Sequence, residues 1–176
     1  PHADEQQRLL ANLILHANAD RKPLPRFWYL PKGLKGAVVM TGDDHGSAGG
    51  QPRFDTYIAQ SPGGCSVSDW ECVRASDYLY VGPPFTDAQA LAYHNLGFEI
   101  ALHVNTNCAD WTQASLENFY DTQLAAFAAA YPSVPFPTTH RTHCIAWSDW
   151  ATQPRVEAAR GIRLDTNYYY WPASWI

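Results

Sequence analysis

From residue 36 onward, short apolar runs alternate with helix-forming segments, and the runs end in ionisable side chains. That rhythm constrains the fold more than any other feature. The segment 36–44, GAVVMTGDD, predicts a buried strand, followed by a short helix over 54–60 and a second strand over 75–81. Thr86 and Gln89 form a capping box that opens a helix over 86–96, which Gly97 closes. A strand over 98–105, a long helix over 115–131, a strand over 138–147, a helix over 151–160 and a last strand over 162–171 complete the series. Strictly alternating strands and helices predict a parallel sheet or barrel, and such folds gather function at the C-terminal ends of their strands.

Ahead of this region, residues 3–18 carry Leu9, Leu10, Leu13, Ile14 and Leu15 at helical spacing behind an acidic start, which predicts an amphipathic helix. Pro23, Pro25 and Pro31 make the following stretch a stiff connector. Residues 1–35 are therefore read as a helix plus connector that can belong to a preceding domain, and 36–176 as one catalytic-sized domain. The net charge of −5 is spread without blocks, so the basic stripe needed to neutralise nucleic-acid phosphates is missing. No apolar run approaches the length of a membrane span. Aromatic residues make up 14% of the chain, more than a core of this size uses, and sugar clefts are one place for exposed rings.

Reading the strand ends in order gives Asp43, Asp44 and His45, then His103 and Asn107, then Arg141 and His143, then Asp165. Two adjacent carboxylates after an apolar strand resist joint ionisation and invite a cation. One could hold a metal while the other takes a proton from an activated water. The competing reading of Asp43-Asp44 alone is a solvated turn, and of His103 alone a hydrogen-bonded structural histidine. Arg141 and His143, two apart in a strand, would share a face, and an Arg beside Asp43 would keep that carboxylate ionised and oriented.

These segments resemble the motifs of the polysaccharide deacetylase, or NodB-homology, family (carbohydrate esterase family 4-like). TGDDHG (41–46) is similar to the family's T-F-D-D-G, GFEIALHVNTN (97–107) to its G-H-E-I-G-N-H-[ST]-x-x-H, and HRTHCIAW (140–147) to its R-x-P-[YF]. GIRLDTNYYYWP (161–172) is similar to the late strand that places an Asp and groove aromatics. The resemblance implies a distorted, incomplete (β/α) barrel with flanking helices, and hydrolysis of N- or O-linked acetyl groups from a carbohydrate polymer. It implies Asp43 as base, Asp44 and His103 as metal ligands, Arg141 as the residue orienting the base, and Asp165 as the fourth-motif acid. The metal would be Zn²⁺, with Co²⁺ or Ni²⁺ as alternatives. His45, Trp147, Trp150, Tyr168, Tyr169, Tyr170 and Trp171 are the implied candidates for holding sugar rings.

The departures from the pattern define the open points. Asn107 stands where the family has a second histidine ligand, and a neutral amide oxygen suits Zn²⁺ poorly. His143, in the place of a Pro, is the preferred replacement, with Asn107 itself or His45 as alternatives. The family's fifth motif, whose histidine protonates the leaving group, has no counterpart before Ile176, so the domain is expected to be cut off before it. The same fold could instead open a small cyclic amide or imide, or bind carbohydrate without turnover.

Four cysteines remain. Cys65 and Cys72 flank SVSDWE in a Gly- and Pro-rich stretch, which suggests a short-loop disulfide and an oxidising, secreted or periplasmic setting; a structural Zn²⁺ site is the rival, without CxxC spacing to support it. Cys108 follows the second motif and Cys144 the third, so they either join the two ligand-bearing loops or remain ordinary thiols.

Overall fold

The computed structural model describes residues 2–18, 38–47, 49–80 and 85–167, apart from the side chain of Ile145. The chain divides into two compact units, Pro1–Val38 and Val39–Ile176. In the first, α1 (His2–Ala17) has Asp4 and Glu5 in its opening turn, which suits the positive end of the helix dipole. Its Leu9, Leu10, Leu13 and Ile14 are exposed.

The second unit is α/β. Among the described residues five strands, β1 (Thr41–Asp44), β2 (Ser76–Leu79), β3 (Glu99–Val104), β4 (Thr139–Thr142) and β5 (Leu164–Asp165), lie side by side in chain order. Every neighbouring pair is parallel, and the sheet curls into a half-barrel flanked by helices. The connecting helices are α2 (Gly50–Gln60), α3 (Asp87–Asn95), α4 (Gln113–Ala130) and α5 (Thr152–Ala158). This is the alternation expected from the sequence, and it follows from the apolar face of the sheet needing helices to cover it.

The central strand shows how the two faces differ. Every residue of β3 from Ile100 to Val104 is buried. Ile100, Leu102 and Val104 belong to the main core, together with Phe54 of α2, Ala90 of α3 and Leu116, Tyr120, Leu124 and Phe127 of α4. The α4 residues recur at three- and four-residue spacing, one stripe of a helix laid on the sheet. Glu99, Ala101 and His103 alternate onto the opposite face. There the Glu99 carboxylate accepts hydrogen bonds from Ser76 Oγ and, at 2.7 Å, from Thr139 Oγ1, tying β2, β3 and β4 together.

Three boundaries depart from the sequence reading. Val38 and Val39, expected inside a buried strand, are 83% and 75% exposed, and β1 begins only at Thr41. The reason is register: Thr41 is the first residue opposite a β2 residue, Ser76, and among the described residues β1 lies at one end of the sheet order, beside β2 alone. The strand expected over 138–147 stops at Thr142 and passes into a 3-10 turn, His143–Ile145, because Cys144 adopts a left-handed backbone, φ 62°. The last strand is only Leu164–Asp165, and residues 168–171 of the expected run lie outside the described residues.

The expected capping box is present: Thr86 Oγ1 accepts from the Gln89 N–H, and Gln89 Oε1 from the Thr86 N–H. A second one, Thr112 with Ser115, opens α4 two residues earlier than the sequence suggested. Gly97 has φ 91°, and a Cβ there would lie 2.6 Å from Val67 Cγ1, so a side chain is excluded both by conformation and by space. The Thr86→Val variant is expected to lose about 1 kcal/mol of unfolding free energy, as N-cap deletions do. Urea denaturation monitored by circular dichroism checks this, and an unchanged midpoint would remove the cap from the account.

Candidate metal centre

Strand alternation delivers one set of side chains to the face away from the helices. Thr41 and Asp43 from β1, Tyr78 from β2, His103 from β3 and Arg141 from β4 share it, as their contacts show. Arg141 donates from Nη2 to Thr41 Oγ1 at 2.7 Å and from Nη1 to Asp43 Oδ1 at 3.2 Å, while its guanidinium lies 5.5 Å from the Tyr78 ring centre. Three partners fix the Arg fork, and the fork in turn orients the Asp43 carboxylate.

His103 stands directly opposite Arg141 in the β3–β4 register. Its Nδ1 lies 2.8 Å from the Arg141 carbonyl oxygen; a carbonyl only accepts, so Nδ1 carries the proton and donates it. Nε2 is then left with its lone pair, and it is buried with no hydrogen-bond partner among the described residues. A buried acceptor left bare is costly, whereas an imidazole that donates through one nitrogen and offers the other is the arrangement of a metal ligand. Burial pushes the His103 pKa down to about 4, with His143 and His45 acting in the same direction and Asp43 opposing. The ring is therefore neutral and able to ligate at ordinary pH.

The rings of His45 and His143 meet it there. Centroid separations are 5.3 Å for His45–His103, 4.6 Å for His45–His143 and 5.3 Å for His103–His143. One nitrogen from each of the three lies within 4.8 Å of the other two, close enough to converge on one ion. Burial, with the neighbouring His45, also lowers the His143 pKa. Tyr80 packs its ring 5.0 Å from His45, 5.5 Å from His103 and 5.0 Å from His143, forming a wall of the cluster. Sequence reading missed Tyr80; its place just beyond the last residue of β2, level with the other strand ends, was the available signal.

Other residues singled out in the sequence lie elsewhere. Asp44 alternates to the helix side and is buried; Oδ1 accepts from the Ser47 N–H at 2.7 Å and Oδ2 from the Gly50 N–H at 3.0 Å. Burial alone would raise its pKa, but hydrogen bonds from Gly50, Ser47 and Gly46 outweigh it and hold the carboxylate below 3.8. Asp44 thus secures the start of α2 and is not gathered with the three imidazoles. Asn107 is exposed in a left-handed turn, φ 60°, held by its N–H to Asn105 Oδ1. With Tyr80, Asn105, Phe119 and Gln123 it lines an open depression of about 320 Å³. Trp147 is half-buried, Trp150 is 90% exposed, and Tyr168, Tyr169, Tyr170 and Trp171 lie outside the described residues.

Asp165 joins a different constellation, beneath the helices. Tyr120 donates to Glu157 Oε1 at 2.6 Å, the same oxygen lies 3.0 Å from His140 Nδ1, and Gln153 Nε2 donates to Thr142 Oγ1 at 2.7 Å and reaches toward Asp165 Oδ2 at 3.4 Å. His140, Glu157 and Asp165 also offer atoms within 4.8 Å of one another. Gln153, with Tyr120, already fills that space with hydrogen-bond donors, so these groups satisfy each other. Burial, reinforced by Glu157, pushes the Asp165 pKa up to about 7.

Both disulfides are formed, Cys65–Cys72 and Cys108–Cys144, each with Cα atoms 5.3 Å apart. The second joins the loop after β3 to the turn carrying His143. Searches of family models, curated proteins and solved structures return no match to this chain.

A carboxyl raised in the folded state stabilises the fold below its unfolded pKa and loses that contribution as pH rises through the folded value. The Asp165→Asn variant is accordingly expected to gain stability relative to the parent as pH climbs from 3.8 to about 7. Paired urea titrations across that window test this; a constant difference would show that Asp165 does not titrate there.

Proposed function

We propose that this chain is a metal-dependent hydrolase that removes acetyl groups, N- or O-linked, from a carbohydrate. The observation that carries the proposal is the buried, partnerless Nε2 of His103, facing two further imidazoles beside a carboxylate that an arginine holds in place. His45, His103 and His143 would hold the ion, Zn²⁺ being the natural choice for an imidazole set and Co²⁺ or Ni²⁺ tolerable. When bound, such an ion polarises an acyl carbonyl and makes a water acidic enough to attack near neutral pH.

Asp43 then has the work of a general base. Arg141 keeps it turned, and its carboxylate remains accessible to water. The Tyr80 phenol stays protonated, since burial and the nearby Asp43 both raise its pKa, and its ring limits how a substrate approaches. The carbohydrate half of the proposal rests on the resemblance of TGDDHG, GFEIALHVNTN and HRTHCIAW to NodB-type motifs, and on the amide-rich depression beside Tyr80. The two disulfides are compatible with an extracellular protein, and no described helix is long and apolar enough to cross a membrane. On the disulfides alone we propose a secreted or periplasmic protein.

The expected result is one Zn²⁺ or Co²⁺ per chain by elemental analysis and calorimetry, with His103→Ala weakening binding by about tenfold or more. Asp43→Asn should retain the ion yet lower acetate release from acetylated oligosaccharides by roughly 10²–10⁴-fold. No ion after incubation with these metals would leave a carbohydrate-binding role; an ion with full turnover in the Asp43→Asn variant would reject Asp43 as the base.

A further inference from the structure

The two loops that the Cys108–Cys144 disulfide joins carry an unusual backbone. Asn107, Cys108 and Cys144 are all non-glycine residues with positive φ, 60°, 56° and 62°, a conformation each holds at a cost and only because the surroundings enforce it. Cys108 and Cys144 are exposed, whereas Cys65 and Cys72 of the other disulfide are half-buried. Of the two bridges, the one beside the histidines is therefore the one a solvent thiol reaches more readily.

His143 stands between two ligand sets. A ring nitrogen of His143 lies within 4.8 Å of both cysteine sulfurs, and a ring nitrogen of the same side chain lies within 4.8 Å of nitrogens of His45 and His103. While the sulfurs are bonded to each other they are poor ligands, and His143 serves the imidazole set alone. Once separated, they become a pair of soft donors flanking the same imidazole. Ligands of one tetrahedral ion at usual Zn–S and Zn–N lengths lie about 3.3–3.8 Å apart, a closure that rotation about the cysteine and histidine side-chain bonds can supply.

We propose that Cys108, Cys144 and His143 form a second metal site, specific for a soft divalent ion such as Zn²⁺, which is closed while the disulfide is intact and opens when a dithiol cleaves it. The dithiol delivers two electrons and two protons across the Sγ–Sγ bond and leaves as its own cyclic disulfide. The two new thiols pass their protons to solvent as the ion binds, giving two thiolates and one neutral imidazole around it. Thiolate outcompetes imidazole for such ions, so reduction withdraws His143 from the three-histidine cluster. The site would let the oxidation state of one disulfide decide which ligands hold the metal. The inference depends on the placement of three side chains and not on the hydrolase reading.

Cobalt binding to the whole chain tests it, because a thiolate ligand adds a charge-transfer band in the near ultraviolet that imidazole ligands do not. The oxidised protein should bind Co²⁺ without that band. Protein reduced with a dithiol and desalted anaerobically should show the band, and should keep it in a C65S/C72S background. C108S/C144S, reduced in the same way, should lack the band, and His143→Ala should weaken the reduced site by about tenfold or more. A reduced parent protein without the band, or a band that survives in C108S/C144S, would overturn the proposal. Unchanged affinity in His143→Ala would remove the third ligand and overturn it as stated. If the oxidised protein binds no Co²⁺ but the reduced one shows the band, the three-histidine reading fails and this one stands.

Discussion

The hydrogen bond from His103 Nδ1 to the Arg141 carbonyl governs the candidate site. It spans two adjacent strands at the one register where both residues reach the same level, and it settles three things together. It sets the imidazole tautomer, it points Nε2 away from the sheet, and it uses the backbone of the residue whose side chain orients Asp43. A slip of one residue between β3 and β4 would turn Arg141 and His103 to opposite faces and dissolve all three. The sheet core of Ile100, Leu102 and Val104 resists that slip, since the same slip would send these side chains away from α4.

The sheet separates its polar groups by the same alternation. Asp43 and Asp44 are neighbours in sequence, yet one meets Arg141 and the other the backbone at the start of α2. The repulsion expected of adjacent carboxylates is thus relieved by geometry as much as by a cation. Beneath the helices, Asp77 is buried against Arg53, and burial, opposed by that arginine, brings its pKa up to about 7. His140, Glu157, Tyr120 and Gln153 form a further hydrogen-bonded set there. Such networks contribute little net stability compared with apolar packing, but each leaves a charge stranded if one partner is lost.

Much of this was legible in the sequence for identifiable reasons. The helix and strand order followed from hydrophobic period and from Gly97 and the Thr86–Gln89 box, which are local signals. The approach of Arg141 to Asp43 and the gathering of His103 with His143 followed from residues at strand ends. What sequence could not convey was which way each end turned. Asp44 and Asp165 face the helices because of strand parity, fixed by register with a partner strand distant in sequence. His45 and Tyr80 enter the cluster through loop geometry just past β1 and β2, and no periodicity reports that. The exposure of Val38 and Val39 had the same origin, an apolar run that extends beyond its partner.

One feature of β1 bears on behaviour at high concentration. Among the described residues β1 ends the sheet; a strand so placed can recruit an extended segment of another molecule, and the apolar pair Val38 and Val39 would favour such recruitment. β1 itself is four residues long and contains a glycine and two aspartates. Glycine adds no cross-strand packing, and a strand of four residues offers an incoming segment few backbone groups to pair with. The brevity of β1 and its glycine therefore act as gatekeepers, leaving a second molecule little to hold there.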